Sequence, residues 1–221
     1  MPSYTAIVLA AGKGSRTHLD YNKVFYHLDS NQTVLDRSLS LFEDDPDCTQ
    51  IIGVCAPYEM DYVKRNYPGY SKLEWTCGGE SRQQSVYNGL QKAKADIVMI
   101  HDGARPFLKR ESLEDLKHMM KYEDAALLMS PAVDTIKIVD EGGYVVTTPL
   151  RSQVFHAQTP QAFRKEVILA AHEKAREMNV EGTDDSQLVE RFSHVPVACV
   201  IGDPSNTKIT NPDDLDLIFH D

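Results

Sequence analysis

The residues best suited to chemistry lie in a glycine-rich stretch near the amino terminus. Its small residues are Ala10, Ala11, Gly12 and Gly14. The glycines allow successive backbone N–H groups to point at one anion, and the alanines let a ligand approach the backbone closely. Arg16 and Lys23 follow at short spacing and carry charges and donors suited to phosphate oxygens. The pattern predicts a phosphate-binding loop after a first buried strand.

This loop differs from two common nucleotide-binding motifs. A dinucleotide fingerprint has a third glycine where this chain has Thr17-His18, and the Gly-Lys-Ser/Thr of a Walker A loop is absent. A bare Gly-x-Gly is also consistent with a plain turn. The nearby Arg16 and Lys23 favour a loop that binds a triphosphate over a plain turn.

A second glycine-rich junction follows the expected strand Leu73–Cys77. Gly78 and Gly79 leave this predicted strand, and a helix is expected to begin near Ser81. Such a junction exposes free N–H groups and the positive end of a helix dipole. The junction is either an ordinary turn or a binding site for a nucleotide base, which backbone groups and Ser85 would contact. Its position at the edge of the sheet where open α/β folds bind ligands favours the second interpretation.

A third candidate segment follows the predicted strand Ile97–Ile100. Asp102 is placed to hold magnesium through its carboxylate, although an aspartate can also cap a loop. Arg105 either contacts a phosphate or holds the loop in place against Asp102, and we favour the second role. His101 receives no catalytic role, because an already ionised phosphate nucleophile needs no general base.

These segments require a framework of alternating strands and helices, which predicts a mostly parallel sheet covered on both faces. The expected strands are Ala6–Leu9, Ile51–Ala56, Leu73–Cys77, Ile97–Ile100, Ala125–Met129 and Val195–Ile201, with a short extended piece at Val24–Leu28. The expected helices are Thr33–Phe42, Tyr58–Asn66, Ser112–Lys121 and Arg164–Met178. Pro160 predicts a rigid turn before the last of these helices, and Thr183 is expected to cap a further one.

The alternation breaks at a predicted β-hairpin. Thr135–Val139 and Tyr144–Thr147 flank a turn containing Gly142 and Gly143. Two such strands cannot bury themselves alone, so the hairpin should project and pair with another copy of the chain. We therefore expect a homodimerisation arm at about residues 133–154 of a single domain spanning residues 1–221.

Composition narrows the functional classes. The chain has 221 residues, 42% of them hydrophobic, and a net charge of −10, which fits one domain with a sizeable core and argues against a nucleic-acid surface. No run approaches a membrane span and the amino terminus lacks a basic start, so we expect a cytoplasmic protein without a membrane partner. The four cysteines show no C-x-x-C spacing and are expected to be mostly buried free thiols.

The stretch from Leu9 through Arg16 to Lys23 resembles the signature of the sugar-nucleotide and alditol-phosphate nucleotidyltransferases. Later motifs resemble the methylerythritol phosphate cytidylyltransferases of non-mevalonate isoprenoid synthesis, and the resemblance extends from Ile7 to Leu217. These motifs are His101–Pro106, Val133–Lys137, Gln158–Phe163 and Thr183–Asp185. The chain departs from the family pattern at Thr17 (usually Met), at Asn22 (usually Pro) and at Thr207 within Asn-x-Lys (usually Ile).

The resemblance implies a Rossmann-like, glycosyltransferase-A-like nucleotidyltransferase fold and the transfer of CMP from CTP to a polyol phosphate. It implies catalysis by Arg16 and Lys23, with Thr135, Arg151 and Lys208 positioning the acceptor's phosphate. The hairpin arm, carrying Thr135 and Arg151, would cross into the neighbouring subunit. The implied CTP-binding residues are Ala10, Ala11, Gly12, Gly14, Gly78, Gly79, Arg82, Ser85, Asp102 and Gly103. Asp102 would also help to hold Mg²⁺.

Three functions fit this reading. The preferred acceptor is 2-C-methyl-D-erythritol 4-phosphate. Ribitol 5-phosphate, a precursor of teichoic acid, is the alternative, but that family tends to have Val or Ser in place of Ala104 and Gly in place of Ala157. The third reading is a catalytically silent nucleotide-binding protein, which the presence of both Arg16 and Lys23 disfavours.

Overall fold

A seven-stranded sheet forms the centre of the protein. The computed structural model describes residues 2–12, 21–210 and 214. The strand order is β3-β2-β1-β4-β8-β5-β9, and all neighbouring pairs are parallel except those made by β8. The strands are β1 Tyr4–Leu9, β2 Cys48–Cys55, β3 Leu73–Cys77, β4 Ile97–Asp102, β5 Ala125–Pro131, β6 Ile138–Val139, β7 Val145–Thr147, β8 Phe155–Arg164 and β9 Ala198–Ile201. The mostly parallel α/β sheet is confirmed.

Helices cover both faces of this sheet. They are α1 Val34–Glu43, α2 Met60–Asn66, α3 Arg82–Leu90, α4 Arg110–Met119, α5 Lys165–Glu177 and α6 Asp185–Phe192, with short 3-10 turns at Lys23–Phe25, Pro57–Glu59 and Arg151–Gln153. Along β1, Ala6 and Val8 join the core beneath α1 and α4, whereas Ile7 joins the core beneath α3 and α5. Successive side chains of a strand point to opposite faces, so a strand buried on both needs a continuous apolar run. None of the described helices is long and apolar enough to span a bilayer.

The segment around Pro160 is a strand, and the predicted turn there is wrong. β8 runs antiparallel to both β4 and β5, and its helix begins directly afterwards at Lys165. The Thr159–Pro160 peptide bond is cis, and the β5 register shifts between Leu127 and Met129 opposite this region. Proline cannot donate to a strand ladder, which explains why the ladder breaks here while the strand continues on both sides.

Four further expectations need correction. Val24–Leu28 begins as a 3-10 turn rather than as an extended piece, because Asn22 caps it by accepting from the Val24 N–H. Asp184, not Thr183, caps α6, since its carboxylate accepts from the N–H of Gln187. β4 continues two residues further than expected and includes His101 and Asp102. Of the cysteine thiols, all free, only those of Cys48 and Cys55 are buried; Cys77 and Cys199 are exposed.

The predicted hairpin is present as β6 and β7, with shorter strands than expected. They form a two-stranded sheet of their own, and Gly143 has a φ of +82°, a left-handed conformation that favours glycine at this turn. The arm exposes large apolar side chains, namely Val133, Ile138, Val139, Tyr144, Val145, Val146 and Leu150. Many exposed apolar side chains within one short segment are typical of a protein–protein interface.

Candidate active site

A cavity of about 440 Å³ opens where β1, β3 and β4 end. Its described lining is Leu9, Ala11, Gly12, Asn22, Lys23, Val24, Gly79, Glu80, Ser81, Arg82, Ser85, Asp102, Ala104 and Lys208. Leu9 and Asp102 are direct partners in the β1–β4 ladder, because parallel strands bring their carboxyl ends to one edge of the sheet. The structure thus brings together eight of the residues predicted for the site: Ala11, Gly12, Lys23, Gly79, Arg82, Ser85, Asp102 and Lys208.

The two glycine-rich segments touch each other at Gly78. A Cβ added to Gly78 would lie 2.6 Å from the Cβ of Ala11 and 2.8 Å from the Oγ of Ser85, so no larger residue fits there. The Gly78 N–H donates to the carbonyl of Cys55 at the end of β2. Glycine is required here for close approach of the two loops rather than for an unusual φ.

Ser85 lies in the cavity wall, and its hydroxyl shapes the glycine turn. It accepts from the N–H of Gly79 at 3.0 Å and donates to the carbonyl of Ser81 at 2.9 Å. Ser81 itself caps α3 by accepting from the N–H of Gln84. The expected helix start near Ser81 is confirmed, and Ser85 holds the glycine turn in place.

Asp102 is held between two cations. Its Oδ1 lies 3.3 Å from the Nε of Arg82 and its Oδ2 lies 2.7 Å from the Nζ of Lys208. Burial alone would raise the pKa of this carboxyl, but the charges of Arg82 and Lys208 outweigh burial and hold its pKa well below the usual range. Asp102 is therefore an ionised carboxylate at the cavity.

Arg105 holds the end of β4 and a second segment near the cavity. Its backbone N–H donates to the carbonyl of Asp102 at 3.0 Å, and its guanidinium donates to the carbonyl of Asn206 at 2.7 Å. Because Asn206 is two residues before Lys208, this bond holds the segment that delivers Lys208 to the cavity. The Ile209 N–H, which donates to the carbonyl of Ala104, holds that segment from the other side.

Arg82 links the cavity to a second buried acid. Its Nη1 donates to Asp185 at 2.8 Å while its Nε reaches Asp102. Burial opposes the charge on Arg82, but Asp185 and Asp102 together raise its pKa above the ordinary value. Asp185 also lies 3.4 Å from the Nε2 of the buried His172. The sequence does not indicate this pairing of Asp185, since nothing local to α6 reveals a partner on α3.

His101 lies beneath the site and is completely buried. Its Nε2 faces the carbonyl of Arg105 at 3.2 Å and its Nδ1 faces the hydroxyl of Thr159 at 3.1 Å, which fits a neutral ring that donates from Nε2 and accepts at Nδ1. Thr159 also accepts from the N–H of Asp102. Burial lowers the pKa of His101 to about 4. The ring is inaccessible to a substrate and joins β8 to the strand end that carries Asp102.

Several predicted residues lie elsewhere. Ala10 and Gly103 are buried behind the cavity wall, where the Gly103 N–H donates to Leu9 and a Cβ would lie 2.8 Å from that carbonyl oxygen. Thr135 and Arg151 are exposed on the arm, outside the cavity lining of their own chain. Gly14 and Arg16 lie outside the described residues.

Of the two carboxylates among the described cavity residues, Glu80 and Asp102, the one predicted from the sequence to hold magnesium is Asp102. Within the described residues, no group of three His, Cys, Asp or Glu side chains could hold a metal by itself. Mg²⁺ characteristically uses one or two carboxylates together with substrate phosphates and water. The ionised Asp102 fits that pattern, provided that Lys208 yields one carboxylate oxygen.

The comparisons with known proteins agree with this geometry. The family model described as 2-C-methyl-D-erythritol 4-phosphate cytidylyltransferase (IspD) matches residues 4–218. A relative of that name from Geobacillus thermodenitrificans is 42% identical over 217 residues, covering 96% of this chain and 94% of the relative. One from Clostridioides difficile is 38% identical over 219 residues, covering 97% of this chain and 91% of the relative.

Solved structures show the same fold. The 4-diphosphocytidyl-2C-methyl-D-erythritol synthase of Anaerococcus prevotii is similar with a TM-score of 0.89 and 31% identity, covering 98% of this chain and 94% of that one. The Francisella tularensis 2-C-methyl-D-erythritol 4-phosphate cytidylyltransferase has a TM-score of 0.82 and 31% identity, covering 97% of both chains. A family model and relatives that match nearly end to end leave one assignment: the chain belongs to the 2-C-methyl-D-erythritol 4-phosphate cytidylyltransferase family.

Proposed function

We propose that the protein joins CMP from CTP to 2-C-methyl-D-erythritol 4-phosphate and releases pyrophosphate, a step in the synthesis of isoprenoid precursors. An oxygen of the acceptor's phosphate attacks the α-phosphorus of CTP, and the bond to the β-phosphate oxygen breaks. The observation that carries this proposal is the cavity at the carboxyl ends of β1, β3 and β4, where glycine-rich backbone meets Lys23, Arg82 and Lys208. Family membership supplies the reaction type and the substrates.

The chain's contribution is positioning and charge stabilisation. Lys23, in the cavity wall, stabilises the negative charge that grows on the α-phosphate and the leaving pyrophosphate; Arg16 shares this role in the proposal. The turn at Gly78 and Gly79 presents backbone groups to the cytosine. Lys208 orients the acceptor's phosphate, which then competes with Asp102 for the same ammonium group.

Magnesium is proposed as the divalent metal of the reaction. When bound, it would neutralise triphosphate charge and favour departure of pyrophosphate. Asp102 is the described residue that would hold it. Support comes from the low pKa of this carboxyl, which keeps it ionised at the cavity edge.

The arm is proposed to form a homodimer and to complete the partner's site. Thr135 and Arg151 lie outside the cavity of their own chain, and the arm exposes apolar side chains along its length. An isologous dimer would cover that surface and deliver both residues to the neighbouring cavity. A cytoplasmic location remains a prediction from the sequence.

The test is pyrophosphate release by the purified protein with CTP and Mg²⁺, comparing 2-C-methyl-D-erythritol 4-phosphate with ribitol 5-phosphate. We expect release with the first acceptor and formation of its cytidine diphosphate adduct, identified by mass spectrometry. Release with ribitol 5-phosphate alone would reassign the acceptor and leave the chemistry intact. CTP binding without release for either acceptor would favour a silent nucleotide-binding protein.

A further inference from the structure

Asn22 occupies the position directly before Lys23, and its backbone has the conformation of a proline. Its φ is −66° and its ψ is 124°. A proline ring locks φ near −65°, and an extended ψ is equally compatible with proline. The family pattern has proline at this position, so the chain keeps the proline backbone without the ring that enforces it.

The side chain of Asn22 makes the contacts that a proline cannot make. Its Nδ2 donates to the carbonyl of Ala10 at 2.6 Å and also reaches the Oε2 of Glu59 at 3.4 Å. Its Oδ1 accepts from the N–H of Val24 at 3.4 Å and so caps the turn that contains Lys23. Only 6% of Asn22 is exposed. The amide therefore ties the end of β1 to the Lys23 turn.

Glu59 holds this amide from the far side. It is 8% exposed and ends the short turn Pro57–Glu59, and its Oε2 also accepts from the N–H of Ala56 just after β2. Burial raises the pKa of this carboxyl. The carboxyl is thus built into the wall and joins β2 to Asn22.

We propose that Asn22 is a positioning residue for Lys23, and that its amide, held by Ala10 and Glu59, supplies the constraint that a proline ring would supply. Freed from this tie, the turn Lys23–Phe25 loses its cap and its link to the strand end that borders the cavity. Lys23 then spends less time where it can meet the phosphates of CTP. This inference rests on the proposed function only through the role of Lys23.

The first experiment compares Asn22→Ala with Asn22→Pro. We expect Asn22→Ala to lower kcat/KM for CTP about tenfold, since small misplacements of a catalytic group cost 10- to 100-fold, with KM for the acceptor unchanged. Asn22→Pro should restore kcat/KM to within about threefold of the parent, because it preserves φ. Asn66→Ala is the matched control; Asn66 bonds its own helix α2 and lies outside the cavity lining, so its kinetics should not change.

The second experiment asks whether Glu59 acts through Asn22. Glu59→Ala should impair CTP kinetics in the parent chain and have little further effect in the Asn22→Pro chain, which no longer uses the amide. In the Lys23→Ala background, adding Asn22→Ala should cost less than about twofold, because residues acting as a unit are not additive. Calorimetric titration of CTP and thermal unfolding are measured for every variant, so that lost folding is separated from lost positioning.

The proposal is overturned if Asn22→Ala keeps full CTP kinetics, if Asn22→Pro is as impaired as Asn22→Ala, or if Asn22→Ala costs the same with and without Lys23. A parent protein that releases pyrophosphate while the variants fail these expectations rejects this inference and leaves the proposed function standing. A parent protein that neither binds CTP nor releases pyrophosphate rejects both.

Discussion

At the residue scale, the site is a set of cations that an acidic chain concentrates at one cavity. The net charge is −10, yet Lys23, Arg82 and Lys208 all line the same wall. Asp102 pairs with two of them, so these side chains are held in place before a ligand arrives. Charged groups that are already in place stabilise the transition state most strongly where charge develops during the reaction.

Replacing Lys23 by alanine should lower kcat by about 10²–10³, as expected for the loss of one donor that stabilises transition-state charge. The measurement is steady-state pyrophosphate release at saturating CTP and acceptor. Lys121→Ala, at an exposed residue outside the cavity lining, is the control. Near-normal turnover of Lys23→Ala would remove Lys23 from the mechanism.

Replacing Asp102 by asparagine should raise the Mg²⁺ concentration for half-maximal activity by about tenfold, because the amide carries no charge for a hard cation. Activity is measured across a Mg²⁺ titration at fixed CTP. An unchanged half-maximal concentration with a lower maximal rate would instead assign Asp102 the role of holding Arg82 and Lys208.

At the scale of elements, β8 connects the site to the core. The strand lies between β4 and β5, and Thr159 within it bonds both His101 and the N–H of Asp102. Asn206 joins the same network by donating to the carbonyl of Thr159. Three separate pieces of chain therefore meet where Asp102 and Lys208 are presented. The neutral form of His101 is part of this junction.

Stability should fall as the pH falls from about 6.5 to about 4. The unfolded chain binds a proton on His101 near pH 6.5, whereas burial lowers the pKa of His101 in the folded protein to about 4. The unfolded state thus binds more protons in that window, and the free energy of unfolding should decrease by roughly 2–3 kcal/mol. Urea unfolding across this range measures the effect.

His101→Gln keeps hydrogen-bonding groups at this position and removes the titration. This variant should have a shallower decline in unfolding free energy between these pH values, whatever its absolute stability. An identical pH dependence in the parent and in His101→Gln would show that other groups cause the decline.

At the scale of the whole molecule, the arm exposes more large apolar side chains than any other segment of similar length among the described residues. Its strands form a sheet separate from the central one, and their apolar side chains face solvent. A two-stranded sheet is marginal by itself, so a neighbouring copy is the natural source of its missing contacts. In the proposed dimer, the same copy would place Arg151 against the cavity.

Mixing two inactive variants tests this arrangement. Lys23→Ala and Arg151→Ala chains, each impaired alone, should regain about one quarter of the parent's activity after subunit exchange. Half of the dimers in a random mixture combine the two variants, and one of the two sites in each mixed dimer is intact. Sedimentation measures the dimer in parallel. No recovery despite proven exchange would place Arg151 in its own chain's site or outside catalysis.

The residue patterns were enough to predict the α/β class, the two glycine-rich junctions and the hairpin. Each depends on local rules: a continuous apolar run for a strand buried on both faces, glycine at a strand-to-helix turn, and a Gly-Gly turn between β-branched residues. The resemblance supplied the reaction and the substrates, which no local rule contains. The turn expected at Pro160 failed because pairing with two neighbouring strands overrode a local breaker.

The contacts between distant side chains follow from tertiary packing and from no local pattern. Asp102 pairs with Arg82 and Lys208, and the guanidinium of Arg105 donates to the carbonyl of Asn206, across separations of 20 to 106 residues. Asn22 and Glu59 are 37 residues apart, and nothing in the sequence indicates that their side chains meet. Short-range periodicity predicts most of the strands and helices, though not β8, and it predicts the sheet edge at which the cavity opens. Partner choice among charged side chains follows from the packing of distant elements, and the fold alone supplies it.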